Sequence, residues 1–297
     1  MNIYLSESGA VLRQIYKRSL EGEQMDVYLA GPEFLAGYLK NKKGGDNMDI
    51  YLAGTEARGK ELYKNEPSIF SNANILQSFY YCDDFSEKVV IPQAKRFLLD
   101  SGAFTFFNSG KTVDWNEYLK KYAAFINRND IKHFFELDID AIVGYEKVLD
   151  FRHRLEDMTG KPTIPVWHFE RGKDAWLEMC EDYDYVAIGG LVSGGGEYAK
   201  KYRRFFPWFI NTAHERGAKV HALGFTAVSA LKEYHFDSVD STAWVSGNQY
   251  GGVYEFTGET IIKHKKPDGM RMAQPGKLAL HNFREWVKFS NYAETKL

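Results

Sequence analysis

Cysteine is nearly absent: Cys82 and Cys180 are the only two in 297 residues. Two thiols cannot build a disulfide framework, and they exclude a zinc site made of three or four cysteines. An excess of positive charge is also missing, with 38 Lys and Arg against 40 Asp and Glu for a net charge of −2. A chain that holds nucleic acid by bulk electrostatics alone is more basic than this, which leaves room only for a local basic patch. No apolar run approaches the roughly 20 residues that span a bilayer, and the opening "MNIYLSESG" lacks a basic region followed by a long apolar core. A reducing cytoplasm is the expected location. There is no G-x-x-x-x-G-K-[ST] phosphate loop, and "GGLVSGGG", Gly189 to Gly196, is glycine-rich without matching G-x-G-x-x-G. Histidines and cysteines form no constellation with metal-ligand spacing, so neither a metal nor a cofactor is expected. What is present is an ordinary globular composition, 44% hydrophobic and 26% charged. Aromatics reach 15%, suited to core packing or to stacking on flat ligands.

The chain opens on a repeat. "MNIYLSESG" at Met1, "MDVYLAGPE" at Met25 and "MDIYLAGTE" at Met48 are variants of one phrase, 24 and 23 residues apart. Solenoids repeat at such periods, but these copies stop at three. Residues 1–47 therefore read as an extension of duplicated βα-like segments before a main domain at 48–297. From Met48 onward, apolar runs alternate with helical patterns. Candidate strands are "DIYLAGT", "RFLLDSG", "KHFFELDID", "TIPVWHF", "YVAIGGL", "KVHALGF" and "SVDSTAW", with "GVYEFTGETIIK" as a possible eighth. The clearest helix is "DWNEYLKKYAAFINRN", where Asp114 and Glu117 have capping-box spacing and the apolar residues share a face. "DAWLEMCEDY" and "YRRFFPWFINTAHERG" are weaker, and Pro207 should sit in the first turn of the latter or break it. Strands apolar throughout and separated by helices imply a parallel sheet buried on both faces. The expected fold is α/β, a (β/α)₈ TIM-like barrel with an N-terminal extension; a doubly wound open sheet is the competitor.

Polar or glycine positions close these strands: Asp100-Ser101-Gly102, Asp138 and Asp140, His168, Gly189-Gly190, Gly224 and Asp240. One aspartate after a strand is unremarkable, because caps and turns use it constantly. Several on successive strands of one barrel would converge on one mouth, where barrel active sites lie. Paired carboxylates at such a mouth suit glycosidic-bond chemistry: one attacks the anomeric carbon and the other moves the proton.

The order of these motifs resembles the tRNA-guanine transglycosylases. "LLDSGAF" is similar to their D-S-G-G-F signature, "GGLVSGG" to their G-G-L-A-V-G-E loop, and "HALGF" followed by "FDSVDS" to their late H-x-L-G-x-G strand and the aspartate beyond it. The resemblance spans roughly Met48 to Tyr254 and implies a (β/α)₈ barrel. It implies that Asp240 is the nucleophile forming a covalent glycosyl intermediate, with Asp237 as the nearby rival, and that Asp100 is the general acid/base. It implies that Asp138, with Asp140 as the alternative, recognises the base. His168 stands where the family has a glutamine, and Ser101, Gly102, Gly189, Gly190 and Leu191 border the base. The family's C-x-C-x-x-C…H zinc motif is absent, "STAW" replaces its P-T-R segment, and Ala103 replaces the second signature glycine. This compact pattern resembles the zinc-less phage and bacterial proteins that insert 7-deazaguanines into DNA. The implied partners are nucleic acid, DNA favoured over tRNA, and a free base such as 7-cyano-7-deazaguanine.

Between Ile261 and Lys288 seven Lys and Arg face two acidic residues. Lys263, Lys265, Lys266 and Arg271 are the candidate phosphate contacts. Trp167, Trp244 and Tyr250 could support a flipped nucleotide, with core packing the alternative. Other readings keep the same residues: a base-excising glycosylase, in which water completes the reaction, and a non-enzymatic nucleic-acid-binding barrel. "YLAGPEF" from Tyr28 also resembles the first strand of nucleoside 2-deoxyribosyltransferases.

Overall fold

Why strands this short are stable here is explained by what covers them. In the computed structural model, which describes residues 47–102, 105–106, 113–191, 202–225, 227–265 and 274–297, eight parallel strands form one sheet with helices outside it. The strands are β1 (Asp49–Ala53), β2 (Asn74–Ser78), β3 (Arg96–Asp100), β4 (His133–Phe134), β5 (Val166–Trp167), β6 (Tyr185–Ile188), β7 (Lys219–Ala222) and β8 (Ser238–Ser241). The sheet order is β4-β3-β2-β1-β8-β7-β6-β5. Its two ends meet. Phe135 bridges Ile164 in parallel, the Ile164 amide donates to the Phe134 carbonyl at 2.9 Å, and the Glu136 amide donates to the Ile164 carbonyl at 3.1 Å. The sheet therefore closes into the expected barrel, which leaves no free edge.

Seven of the strands coincide with the sequence reading and one correction is needed. The missing barrel strand is β2, "NILQS", whose Leu76 and Gln77 pair with Leu98 and Leu99. "GVYEFTGETIIK" is instead an antiparallel hairpin outside the barrel, β9 (Gly252–Phe256) with β10 (Ile261–Lys265). The N-terminal repeats at Met1 and Met25 lie outside the described residues.

Alternation within each strand separates two cores. Tyr51, Leu76, Leu98, Phe135, Val166 and Ala187 fill the barrel interior, and their neighbours pack outward against the helices. The helices of eight residues or more are α1 (Thr55–Asn65), α2 (Trp115–Arg128), α3 (Tyr145–Thr159), α4 (Gly172–Asp182), α5 (Phe206–His214), α6 (Ala243–Tyr250) and α7 (Pro275–Lys296). Asp114 caps α2 as its spacing predicts, accepting from the amides of Asn116 and Glu117 at 3.0 and 3.2 Å. Pro207 sits in the first turn of α5. Helix α7 buries Phe283, Trp286 and Phe289, a contribution of about 2–3 kcal/mol each. Its Glu294 accepts from Asn74 and Arg96 at 2.9 Å, tying the helix to the N-terminal ends of β2 and β3. The opposite, C-terminal ends of the strands are therefore the open mouth.

Candidate active site

Position along a strand decides which side chains reach the mouth. Leu98 faces the barrel interior and Leu99 packs outward, so Asp100, two residues beyond Leu98, points inward at the top. Its Oδ2 accepts from the Gly102 amide at 3.0 Å. Protein surrounds this carboxyl, although solvent still reaches it. Burial, reinforced by the negative charges of Asp138 and Asp240, pushes its pKa up to about 7 against the Gly102 hydrogen bond. Asp100 and Asp240 lie at the C-terminal ends of β3 and β8 and Asp138 follows β4, so the three share one end of the barrel. Gly102 is required by its turn: its φ is 81°, and a Cβ there would lie 2.7 Å from Tyr80 Cβ. Ser101 is fully buried, and its carbonyl accepts from the Tyr118 hydroxyl at 2.6 Å.

Asp240 is reached by the same alternation from Ser238 on β8. Its Oδ1 accepts from the Gly224 amide at 2.6 Å and lies 3.3 Å from His221 Nε2. Oδ2 has no hydrogen-bond partner among the described residues. The rival Asp237 is at the other end of the barrel: it precedes β8 and accepts from Val220 N and from His214 Nε2, each at 2.8 Å. Geometry thus separates two aspartates that the motif left interchangeable.

The third group follows β4 and β5. His168 Nε2 lies 2.6 Å from Asp138 Oδ1. Arg171 donates to Asp140 at 2.6 Å and to Glu136 at 2.8 Å, and Arg152 donates to Glu136 at 2.7 Å. Glu136 and Arg171 are within 1% of full burial. Burial opposes every charge here, and the partners override it. Arg171 and Arg152 hold Glu136 below the usual range, Arg171 does the same for Asp140, and Asp138 raises His168. Three carboxylates thus face two guanidiniums and an imidazole. Asp138 is engaged by His168 and Asp140 by Arg171. Asp138, Asp140 and His168 are also the group whose potential metal-ligand atoms converge within 4.8 Å among the described residues. Arg171, Nη2 of which is 3.9 Å from Asp138, already supplies positive charge there.

Glycine shapes the wall beside His168. A Cβ on Gly189 would lie 2.5 Å from His168 Cε1, and Gly190 has φ of 73°. The Leu191 side chain is buried in the outer core, so only its backbone is available to a ligand. Of the basic candidates, two are described. Lys263 and Lys265 are exposed on the β9–β10 hairpin, which packs on α6 and α7; Lys266 and Arg271 lie outside the described residues. Trp167 and Trp244 are corrections to the stacking reading. Trp167 is buried against Phe209, and Trp244 is fully buried and donates to the Ala53 carbonyl at 2.8 Å. The Tyr250 side chain is outside the described set. The exposed rings near Asp100 are instead Tyr80 and Tyr81, stacked edge-on beside Phe106. Glu136, Arg152 and Arg171 were not anticipated from the sequence. The signal was a glutamate inside the apolar run "HFFELDID", where a buried charge needs a partner.

No helix among the described residues is long and apolar enough to cross a membrane. No known protein family matches the chain, and no curated protein matches it. Among solved structures it is similar to a structural-project protein from Aquifex aeolicus VF5, at 11% identity over 89% of this chain and 98% of that one, with a TM-score of 0.49. It is similar to a protein from Coccidioides immitis provisionally assigned as a fructose-1,6-biphosphate aldolase, at 12% identity over 89% and 95%, TM-score 0.48. It is also similar to the carboxyl transferase domain of Rhizobium etli pyruvate carboxylase, at 11% identity over 92% of this chain and 55% of that one, TM-score 0.42. None of these names is that of a transglycosylase.

Proposed function

We propose that the protein is a base-exchange transglycosylase that replaces guanine in DNA with a 7-deazaguanine. The observation that carries this reading is a pair of carboxyl groups at one mouth in opposite environments. Asp100 is raised to about 7, so it can hold and give a proton near neutral pH. Asp240 Oδ1 accepts from the Gly224 amide and lies beside His221 Nε2, and Oδ2 has no hydrogen-bond partner among the described residues, so Oδ2 is the oxygen that reacts. In the exchange, Asp240 Oδ2 attacks C1′ of the target nucleoside. The C1′–N bond breaks, its electron pair leaves with guanine, and Asp100 gives that base its proton. The incoming base returns a proton to Asp100 while its nitrogen attacks C1′ and displaces Asp240. Asp138, beside His168, offers an acceptor to the donor edge of the base, and Gly189 and Gly190 leave room for it against the backbone.

The test is incubation with duplex DNA or tRNA and labelled 7-deazaguanine, followed by digestion and mass analysis of the nucleosides. Label is expected in DNA and lost in Asp240→Asn. Label only in tRNA overturns the DNA assignment, release of guanine without incorporation makes the protein a glycosylase, and incorporation by Asp240→Asn overturns the nucleophile.

A further inference from the structure

The barrel interior contains a polar chain that the exchange itself does not use. Tyr185 on β6, Ser238 on β8 and His221 on β7 lie below Asp240, each surrounded by the interior core. His221 is fully buried, with its ring against Tyr51, Phe135 and Tyr185. Its Nδ1 is 2.6 Å from Ser238 Oγ and its Nε2 is 3.3 Å from Asp240 Oδ1. Ser238 Oγ in turn bonds the Tyr185 hydroxyl. Strand register builds this chain, because His221 pairs directly with Ser238 and Asp240 follows two residues later on the same face.

Proton placement follows from the Asp240 end of the chain. Asp240 Oδ1 is an acceptor, so the proton between it and His221 is on Nε2. A ring with that single proton accepts on Nδ1 from Ser238, and the Ser238 oxygen is left to accept from the Tyr185 hydroxyl, which burial keeps protonated. Every donor points toward the carboxylate, and each bond polarises the next. Both N–H contacts fall on Oδ1, one from the Gly224 backbone and one from this chain.

We propose that His221 is a positioning residue, held in its Nε2–H tautomer by Ser238 and Tyr185, that fixes Asp240 Oδ1 so that Oδ2 faces the reacting carbon. The inference rests on Asp240 being the nucleophile of the proposed exchange. A reacting oxygen must be held within a fraction of an ångström, and a loose carboxylate loses rate without losing substrate affinity.

Two measurements test it separately. In ¹⁵N-histidine-labelled full-length protein, long-range proton–nitrogen correlation should show His221, assigned by its loss in His221→Gln, with its proton on Nε2. Ser238→Ala should admit the second tautomer. A proton on Nδ1 in the unmodified protein, or a spectrum that Ser238→Ala leaves unchanged, overturns the chain. In the base-exchange assay His221→Leu should lower kcat about 10- to 100-fold with KM unchanged. His221→Gln, whose amide N–H can reach the same oxygen, should recover most of that loss. Equal loss in both variants, or a change in KM alone, overturns the positioning role. Should His221→Leu fail to fold, Ser238→Ala and Tyr185→Phe each remove one oxygen and should lower kcat in the same sense; full kcat in both is the overturning result. Absence of exchange by the unmodified protein would count against the proposed function, and the tautomer measurement would still decide the chain.

Discussion

Replacing Asp100 with asparagine should stabilise the protein, and more so as pH rises. A folded-state pKa of about 7 against an ordinary 3.8 means that the folded chain binds this proton more tightly than the unfolded one. The stability linked to it is fully present below the unfolded value and is lost as pH rises through the folded value. The shift of about 3 units corresponds to ~4 kcal/mol lost by pH 8 at most. Solvent reaches the carboxyl, so about half of that, ~2 kcal/mol, is the better expectation. Asparagine is neutral throughout, and its carbonyl oxygen can still accept from the Gly102 amide. The gain in unfolding free energy of Asp100→Asn over the parent should therefore grow by about 1–3 kcal/mol between pH 5 and pH 8. Urea denaturation of both proteins at several pH values, with slopes checked for equality, measures this directly. The remaining titrating groups are common to both proteins, so the difference isolates Asp100 and its repulsion by Asp138 and Asp240. A difference that stays flat with pH, or shrinks as pH rises, refutes the burial-and-repulsion argument.

Glu136→Gln should be strongly destabilising, because it leaves Arg152 and Arg171 buried without their shared counter-charge. A loss of about 3–5 kcal/mol is expected in urea unfolding, and a loss under 1 kcal/mol would show that the guanidiniums find other partners. Gly102→Ala must accept a φ of 81° and a Cβ 2.7 Å from Tyr80 Cβ, at a cost of about 1–3 kcal/mol; an unchanged denaturation midpoint would mean that the turn relaxes freely.

The barrel was legible because its strands are short apolar runs that end in polar residues, and that punctuation survives in one sequence. β2 escaped because "NILQS" carries Asn74 and Gln77 at buried positions. Their polarity is satisfied only in the fold, by Glu294 and by Thr55. "GVYEFTGETIIK" is strand as expected of a possible eighth, but the face it buries packs on α7 rather than on the barrel. The strand-end aspartates were legible as a set, but not which of Asp237 and Asp240 lies at the C-terminal end of its strand. Asp237 and Asp240 differ by three residues in sequence and by the length of β8 in space. Arg171 meets Glu136 across 35 residues, and His221 meets Asp240 across 19. Such pairings depend on which strands become neighbours, which local pattern does not encode.

The mouth holds one residue type in three electrostatic settings, and the setting rather than the residue assigns the role. The cations are spent on one side: Arg152 and Arg171 are committed to Glu136 and Asp140, and His168 to Asp138. Among the described residues, the charged groups bearing most strongly on Asp100 are the carboxylates of Asp138 and Asp240. In the proposed exchange this asymmetry has a direction. Once Asp100 has protonated the departing base, it is an anion beside Asp138 while Asp240 is esterified and neutral, and it regains a proton readily from whatever enters next. That pull acts on water as well as on a base, so the carboxyl groups cannot by themselves distinguish transfer from hydrolysis. The distinction falls to the wall that the entering group must fill, where Gly189 lacks a Cβ because His168 occupies the space. In the proposed exchange a flat base packed against such a wall excludes water from C1′. The narrowness imposed by those two residues therefore bears on the outcome of the reaction as directly as the acids do.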